Sequence, residues 1–180
     1  MPESLSSLYQ LMDDTWNKIA PLNQIQCTGC EDKCCQSLFF HHTHVEKAYL
    51  RHGFGQLKPD KKNDILYKAE DYCWKTFPVG GEIKSLKIMC PLNEKSRCIL
   101  YPYRPMICRL HGLPHELRKP GLNPVIGKGC EAGRFDSQSY FEFDRTPFYQ
   151  KMAHLETYYR QTSKRKGKIN ETIARMLISQ

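Results

Sequence analysis

The spacing of hydrophobic residues predicts two amphipathic helices in the first half of the chain. Over residues 4–20 apolar side chains recur every three or four positions, with Ser4 as the expected N-cap and Pro21 as the expected end. Over residues 59–77 a similar stripe follows Pro59, a residue type that favours the first turn of a helix. Both helices are expected to pack one apolar face against a core.

The middle of the chain alternates in the way that favours short strands. Residues 86–90 alternate apolar and polar positions and predict a strand, residues 93–96 predict a turn, and residues 98–101 predict a return strand. The expected result is a β-hairpin with Cys90 on one arm and Cys98 on the other. Such a hairpin presents two thiols from a rigid backbone.

A short helix, a loop and a helical tail complete the predicted elements. The short helix is expected between Pro105 and Gly112, and residues 114–129, rich in Pro and Gly, predict an extended loop. The tail from Pro147 predicts a helix, followed by a basic break at residues 164–168. A last helical piece is predicted to run through Ile169, Ile173, Met176 and Leu177.

Charge and composition narrow the function classes. The formal net charge is +8, but residues from 145 onward hold eight Lys and Arg against two Glu, so most of the excess lies in the tail. A solvated linker is the favoured interpretation of that tail, and a patch for RNA, DNA or an acidic partner is the alternative. No stretch approaches the roughly 18 apolar residues of a membrane helix, so we expect no membrane contact. The first residues do not resemble a secretory signal, and nine cysteines are an odd number for disulfide pairing. We therefore expect a cytoplasmic protein.

Cysteine dominates the chemistry of this sequence. Four thiols fall within nine residues, at Cys27, Cys30, Cys34 and Cys35. Thiolates this close repel one another unless a cation neutralises them, which predicts a metal site. The side chains of Cys34 and Cys35 diverge in any regular structure. We therefore expect them to serve different metals, or one to ligate and the other to support it.

The remaining thiols come from separate segments. Cys90 and Cys98 lie on the predicted hairpin, Cys108 on the short helix and Cys130 after the loop. Cys73 lies on the apolar stripe of residues 59–77, and we expect it to be a small buried hydrophobic side chain. Setting Cys73 aside leaves eight thiols, an even number that suits metal binding.

Arginine and histidine side chains accompany the cysteines. Arg104 and Arg109 flank Cys108, where guanidinium groups would lower the pKa values of thiols and donate hydrogen bonds to sulfur. Surface ion pairs are the alternative role for these arginines. Three imidazoles, at His41, His42 and His44, follow the cysteine-rich stretch without a spacing that matches a metal site.

Together these patterns predict a small, mostly helical α+β domain around a cysteine-lined metal centre, with one short β-hairpin. A single domain is expected over residues 1–180. Its metal-binding core is expected at 27–130, and a basic helical tail at 147–180.

The cysteine pattern as a whole resembles a known family. Its elements are Cys27-x2-Cys30-x3-Cys34-Cys35, Cys90-Pro91-Leu92, Cys98-Ile99-Leu100-Tyr101, Arg104-Pro105-x2-Cys108-Arg109 and a late Cys130. This arrangement resembles the YkgJ-like cysteine-cluster proteins of bacteria and archaea, which are described as zinc- or iron-chelating. Flagellin lysine N-methylases carry a similar module but are considerably longer, and no recognisable methyl-donor site accompanies it here. The resemblance implies metal or iron–sulfur binding by Cys27, Cys30, Cys34, Cys35, Cys90, Cys98, Cys108 and Cys130.

Two functions are compatible with these observations. The first is an iron–sulfur protein, with [4Fe-4S] as the expected cluster, acting in electron transfer or redox chemistry with an unidentified redox or protein partner. The Cys90-Pro91 step, similar to one in ferredoxin sequences, favours it. The second is a zinc-binding structural or interaction module whose basic tail contacts protein or nucleic acid. We favour the first, and the sequence does not decide whether the protein is an enzyme.

Overall fold

The computed structural model describes residues 3–25, 34–83, 86–130 and 142–179. Their helices are α1 (Glu3–Leu22), α2 (His44–Gly55), α3 (Pro59–Thr76), α4 (Met106–Leu110), α5 (Thr146–Thr162) and α6 (Ile173–Ile178). Their strands are β1 (Asn93–Glu94), β2 (Arg97–Cys98), β3 (His115–Leu117), β4 (Val125–Gly127) and β5 (Phe143–Asp144). The predicted α+β class, with more helix than strand, is confirmed.

The chain forms two compact units, and each of them combines two separate stretches of sequence. The first unit comprises Met1–Cys34 and Met106–Gln161, and the second comprises Cys35–Pro105 and Thr162–Gln180. The single domain over residues 1–180 is a prediction from the sequence.

In the first unit, α1 buries the apolar stripe that its sequence predicted. Leu5 and Met12 are fully buried, and α1 packs against α4. The helix begins at Glu3, so Ser4 lies inside its first turn, and Pro21 lies inside its last turn instead of ending it. A proline removes one helical hydrogen bond and crowds the carbonyl four residues earlier, but Pro21 lies only one residue before the end of α1. The turn therefore continues to Leu22, beyond the predicted boundary.

A three-stranded sheet in the first unit replaces part of the predicted loop over residues 114–129. Its strand order is β4-β3-β5, with β3 antiparallel to β4 and parallel to β5. His115 pairs with Gly127 on one side and with Phe143 on the other. The strands are only two or three residues long, so their alternation is too short to show in the sequence.

In the second unit, helices from both of its sequence stretches share one core. The helix predicted over residues 59–77 is confirmed as α3, which packs extensively against α6. Ile169 lies before α6, so the last helical piece is shorter than predicted. Helix α2 was not predicted. The buried members of this core, which we call the second-unit core, are Leu50, Ile65, Ala69, Tyr72, Leu92, Leu100, Ala174, Met176 and Leu177.

The predicted hairpin is present but shorter and shifted along the chain. Strands β1 and β2 pair antiparallel around a two-residue turn, in which Lys95 and Ser96 have φ angles of 49° and 66°. Positive φ at both turn residues matches the twist of the flanking strands. Cys98 lies on β2, but Cys90 precedes β1 and is not on an arm. The expectation of one cysteine on each arm was therefore wrong.

None of the helices in the described segments combines the length and the apolar character that crossing a membrane requires.

Candidate metal centre

Cys34 and Cys35 lie where the two units divide. Both belong to a 3-10 helix over Cys34–Gln36, and the boundary between the units falls between them. Cys27 and Cys30 lie outside the described residues.

In the second unit, backbone hydrogen bonds bring three cysteines from distant segments together. The amide of Cys90 donates to the carbonyl of Cys35 at 2.7 Å, and the amide of Asn93 donates back to the carbonyl of Cys90 at 2.9 Å. Asn93 in turn pairs across the hairpin with Cys98. Cys35, Cys90 and Cys98 therefore stand on directly connected pieces of backbone.

Cys73 is a fourth thiol of the second unit. It is partly buried and packs against the second-unit core, as Cys90 and Cys98 also do. Burial raises the pKa of the Cys73 thiol, and the nearby cation of Arg175 only partly opposes this effect. The environment thus favours the protonated thiol, in keeping with the hydrophobic role expected from the sequence.

Tyr72, on the apolar stripe predicted over residues 59–77, is a neighbour of Cys90 in the structure. Burial raises the pKa of the Tyr72 hydroxyl, and the negative charge of an ionised Cys90 raises it further. Tyr72 was predicted to face the core because it lies on the stripe of α3. No signal in the sequence connects it with a cysteine that follows after a break in the helical pattern.

In the first unit, a glycine allows two cysteine-bearing segments to approach. Cys108 lies on α4, and two residues after that helix Gly112 has a φ of 102°, a left-handed value that favours glycine. The amide of Cys130 donates to the carbonyl of Gly112 at 3.1 Å. A Cβ on Gly112 would meet the Cys130 sulfur at 3.9 Å. Cys130 is therefore held beside the end of the helix that carries Cys108.

The two arginines predicted to influence thiols make contacts with aromatic rings. Arg109 is 5% exposed, forms an ion pair with Asp13 and lies 4.1 Å from the ring centre of Tyr9. Arg104 lies 3.6 Å from the ring centre of Tyr101. The Arg109 contacts resemble the ion-pair alternative, although in a buried setting. The tuning of thiols by these arginines remains a prediction.

The histidines that follow the cysteine-rich stretch differ in environment. His41 is 3% exposed and exchanges two backbone hydrogen bonds with Glu171, of 2.8 and 3.0 Å. Burial, together with the neighbouring His42, lowers the pKa of His41 to about 4. The Nε2 atoms of His41 and His44 are buried without a hydrogen-bond partner among the described residues. The structure thus gives His41 a place in the packing of the second unit.

The described thiols fit the chemistry of a sulfur-ligated metal, although their geometry does not close a site. They form no disulfide, and each is only partly buried. Among the described residues, no three His, Cys, Asp or Glu side chains are close enough together to hold one metal ion. The first unit contributes Cys34, Cys108 and Cys130, and the second contributes Cys35, Cys90 and Cys98. Each unit therefore holds three of the described cysteines that were predicted as metal ligands.

Comparison with protein-family models, with curated proteins and with solved structures finds no match. The YkgJ-like resemblance accordingly remains a prediction from the cysteine pattern.

Proposed function

We propose that this protein binds an iron–sulfur cluster through its cysteines and acts in electron transfer or a related redox reaction. The observation that carries this proposal is the backbone hydrogen bond between Cys90 and Cys35. It joins two cysteines far apart in sequence, and the turn that follows leads directly to Cys98. Three cysteines without a disulfide thus lie on segments that backbone hydrogen bonds connect.

The residues that would hold the metal belong to two sets. Cys35, Cys90 and Cys98 form the second-unit set, and Cys34 and Cys108, with Cys130, form the first-unit set. Cys27 and Cys30 are the remaining predicted ligands and lie outside the described residues. A [4Fe-4S] cluster takes four thiolates in all. Such a cluster exchanges single electrons.

The surroundings of the second-unit set suit a redox centre. Cys90 and Cys98 pack against the apolar second-unit core, which limits the access of water to their sulfurs. Cluster potentials depend on solvent exposure and on hydrogen bonds to sulfur. The Tyr72 hydroxyl, which forms a hydrogen bond with the Thr76 side chain, lies close enough to Cys90 for their charges to interact.

A zinc-binding interaction module is the second candidate function. Zinc takes four thiolates in a tetrahedron, and the same cysteines would supply them. The observation that favours it is the exposed basic segment at residues 164–168, which stands between α5 and α6. That segment would contact an acidic protein or nucleic acid.

Metal analysis of protein purified without oxygen tests the proposal. We expect a brown protein that contains iron and sulfide, absorbs near roughly 400 nm as thiolate-bound iron does, and bleaches with dithionite. Cys90→Ser is expected to lose iron. Cys73→Ser is the matched control, since Cys73 packs against the same core but belongs to neither set.

Two results would contradict the iron–sulfur assignment. One is colourless protein that takes up no iron during anaerobic reconstitution. The other is about two zinc ions per chain with no redox activity, the content expected of two zinc sites with four thiolates each. Zinc together with salt-sensitive nucleic-acid binding that requires residues 164–168 would establish the second candidate instead.

A further inference from the structure

An open groove in the first unit is lined by one face of α1 and one face of α5. Its volume is about 600 Å³. The lining residues of α1 are Ser4, Ser7, Leu8 and Leu11, and those of α5 are Lys151, His154, Leu155 and Tyr158. The groove is distinct from the cysteines, none of which lines it.

Both walls of the groove have the spacing of a helix-packing face. On each helix the four lining residues stand at positions i, i+3, i+4 and i+7, the pattern of residues that share one side of a helix. Leu8 is buried at the bottom of the groove, whereas Leu11 is 43% exposed and Tyr158 is 62% exposed. Each helix therefore presents one packing face to the groove, and the described lining residues come from these two helices alone.

The charge of the groove selects the kind of helix that would fill it. Lys151 is the formally charged residue of the lining and is exposed, and no carboxylate is among the lining residues. A helix with glutamate or aspartate beside its apolar stripe would complement the lysine, whereas a basic helix would be repelled.

The length of the groove favours a single docked helix over a second copy of this chain. The lining spans seven residue steps on each helix, which is about 10.5 Å or two helical turns. A stable dimer usually buries roughly 800 Å² on each partner, more than two turns of one helix cover. A contact of this size is typical of a reversible complex.

We propose that the groove between α1 and α5 binds an acidic amphipathic α-helix of a partner protein. The apolar stripe of that helix lies on Leu8, Leu11 and Leu155, and its carboxylates face Lys151. This proposal does not depend on which metal the cysteines hold.

Anisotropy titrations of the full-length protein with two labelled peptides test the proposal. Both peptides are designed helices with leucine at i, i+3, i+4 and i+7, flanked by glutamate in one and by lysine in the other. We expect the acidic peptide to bind at least about tenfold more tightly at low salt, and its affinity to fall as salt screens the charges. Lys151→Glu should reverse this preference, and Leu11→Glu should weaken the binding of both peptides about tenfold or more.

Two substitutions of the same kinds on α1 control for general effects on charge and folding. Lys18→Glu and Leu22→Glu change exposed residues of α1 that do not line the groove, and they should leave both affinities unchanged. Equal binding of the two peptides, or no saturation by either up to about 1 mM, the affinity of a very weak complex, would overturn the proposal. A dimer seen by sedimentation that Leu11→Glu abolishes would identify a second copy as the occupant and overturn it as well.

Discussion

At the scale of a single residue, His41 lies 3% exposed in the second unit, and burial keeps its imidazole neutral by lowering its pKa to about 4. The exposed His42 adds a smaller effect in the same direction. The carboxylate of Glu171, whose backbone pairs with His41, instead forms a 3.0 Å salt bridge with Lys47. These contacts therefore give a protonated His41 no negatively charged partner.

This burial predicts a loss of stability in mild acid. The unfolded chain takes up a proton on His41 below the ordinary pKa of 6.5, whereas the folded protein resists protonation until about pH 4. The contribution of the neutral His41 to the free energy of unfolding is fully present above pH 6.5. It is lost as the pH falls toward 4, by up to about 3 kcal/mol. Urea unfolding at several pH values, with wild type and His41→Gln compared, measures it.

The informative quantity is the difference in pH dependence between the two proteins, since cysteine–metal bonds are also acid-sensitive. His41→Gln should flatten the slope between pH 6.5 and 4.5, whatever its effect at neutral pH. An unchanged slope in His41→Gln would show that His41 does not link folding to protons.

At the scale of an element, α2 shows a helix that depends on its neighbours more than on its own sequence. It runs from His44 to Gly55 and contains two glycines, Gly53 and Gly55. Glycine is among the residues least favourable to a helix. The formation of α2 is explained by packing, because Leu50 is fully buried in the second-unit core. Gly53 leaves room for the ring of Tyr103, since a Cβ there would lie 2.3 Å from ring carbons.

Alanine substitutions at the two glycines of α2 should therefore have opposite effects. Gly53→Ala forces a shift of the Tyr103 ring, whose hydroxyl is held by Gln56 at 2.9 Å, and should destabilise the protein by about 1–3 kcal/mol. Gly55→Ala meets nothing within 4 Å and should stabilise it by up to about 1 kcal/mol. Thermal or urea unfolding of the two variants measures this difference. Equal effects would mean that the Tyr103 ring is not tightly packed on α2.

The elements predicted correctly are those whose signals are local. Helix α3 was predicted because Pro59 and an apolar stripe lie within the helix itself, and α1 for the same kind of reason. The pairing of β3 with β5 joins residues far apart along the chain, and no local pattern announces it. The hairpin was misplaced because residues 86–90 alternate like a strand, whereas the backbone of Cys90 is engaged by Cys35.

At the scale of the whole molecule, the cysteines are divided between the two units, and one boundary falls between the neighbours Cys34 and Cys35. From the sequence we expect these neighbours to serve different metals, or one to ligate and the other to support it, and this stays a prediction. The membership of the two sets could not be predicted, because it follows from contacts such as that of Cys130 with Gly112. Such contacts depend on the path of the chain and not on motif spacing.

Separate sets predict separable metal loss. Cys98→Ser in the second unit and Cys108→Ser in the first should each remove about half of the bound iron and sulfide, and the double variant should remove nearly all, because a [4Fe-4S] cluster needs four thiolates. Iron and sulfide assays on anaerobic protein measure this. Circular dichroism at the wild-type helical level serves as the folding control. Complete loss of iron in either folded single variant would indicate one cluster that draws on both sets.

The interleaved composition of the units also orders events during synthesis. Residues 162–180 supply Met176 and Leu177 to the second-unit core, yet the ribosome makes them only after every residue of 106–161. A nascent chain thus exposes the apolar faces of α2 and α3 while the intervening segment is translated. Cys90 and Cys98 pack on that same core, so their final environment arises late. If the proposed cluster is bound there, its insertion is expected to follow translation of α6.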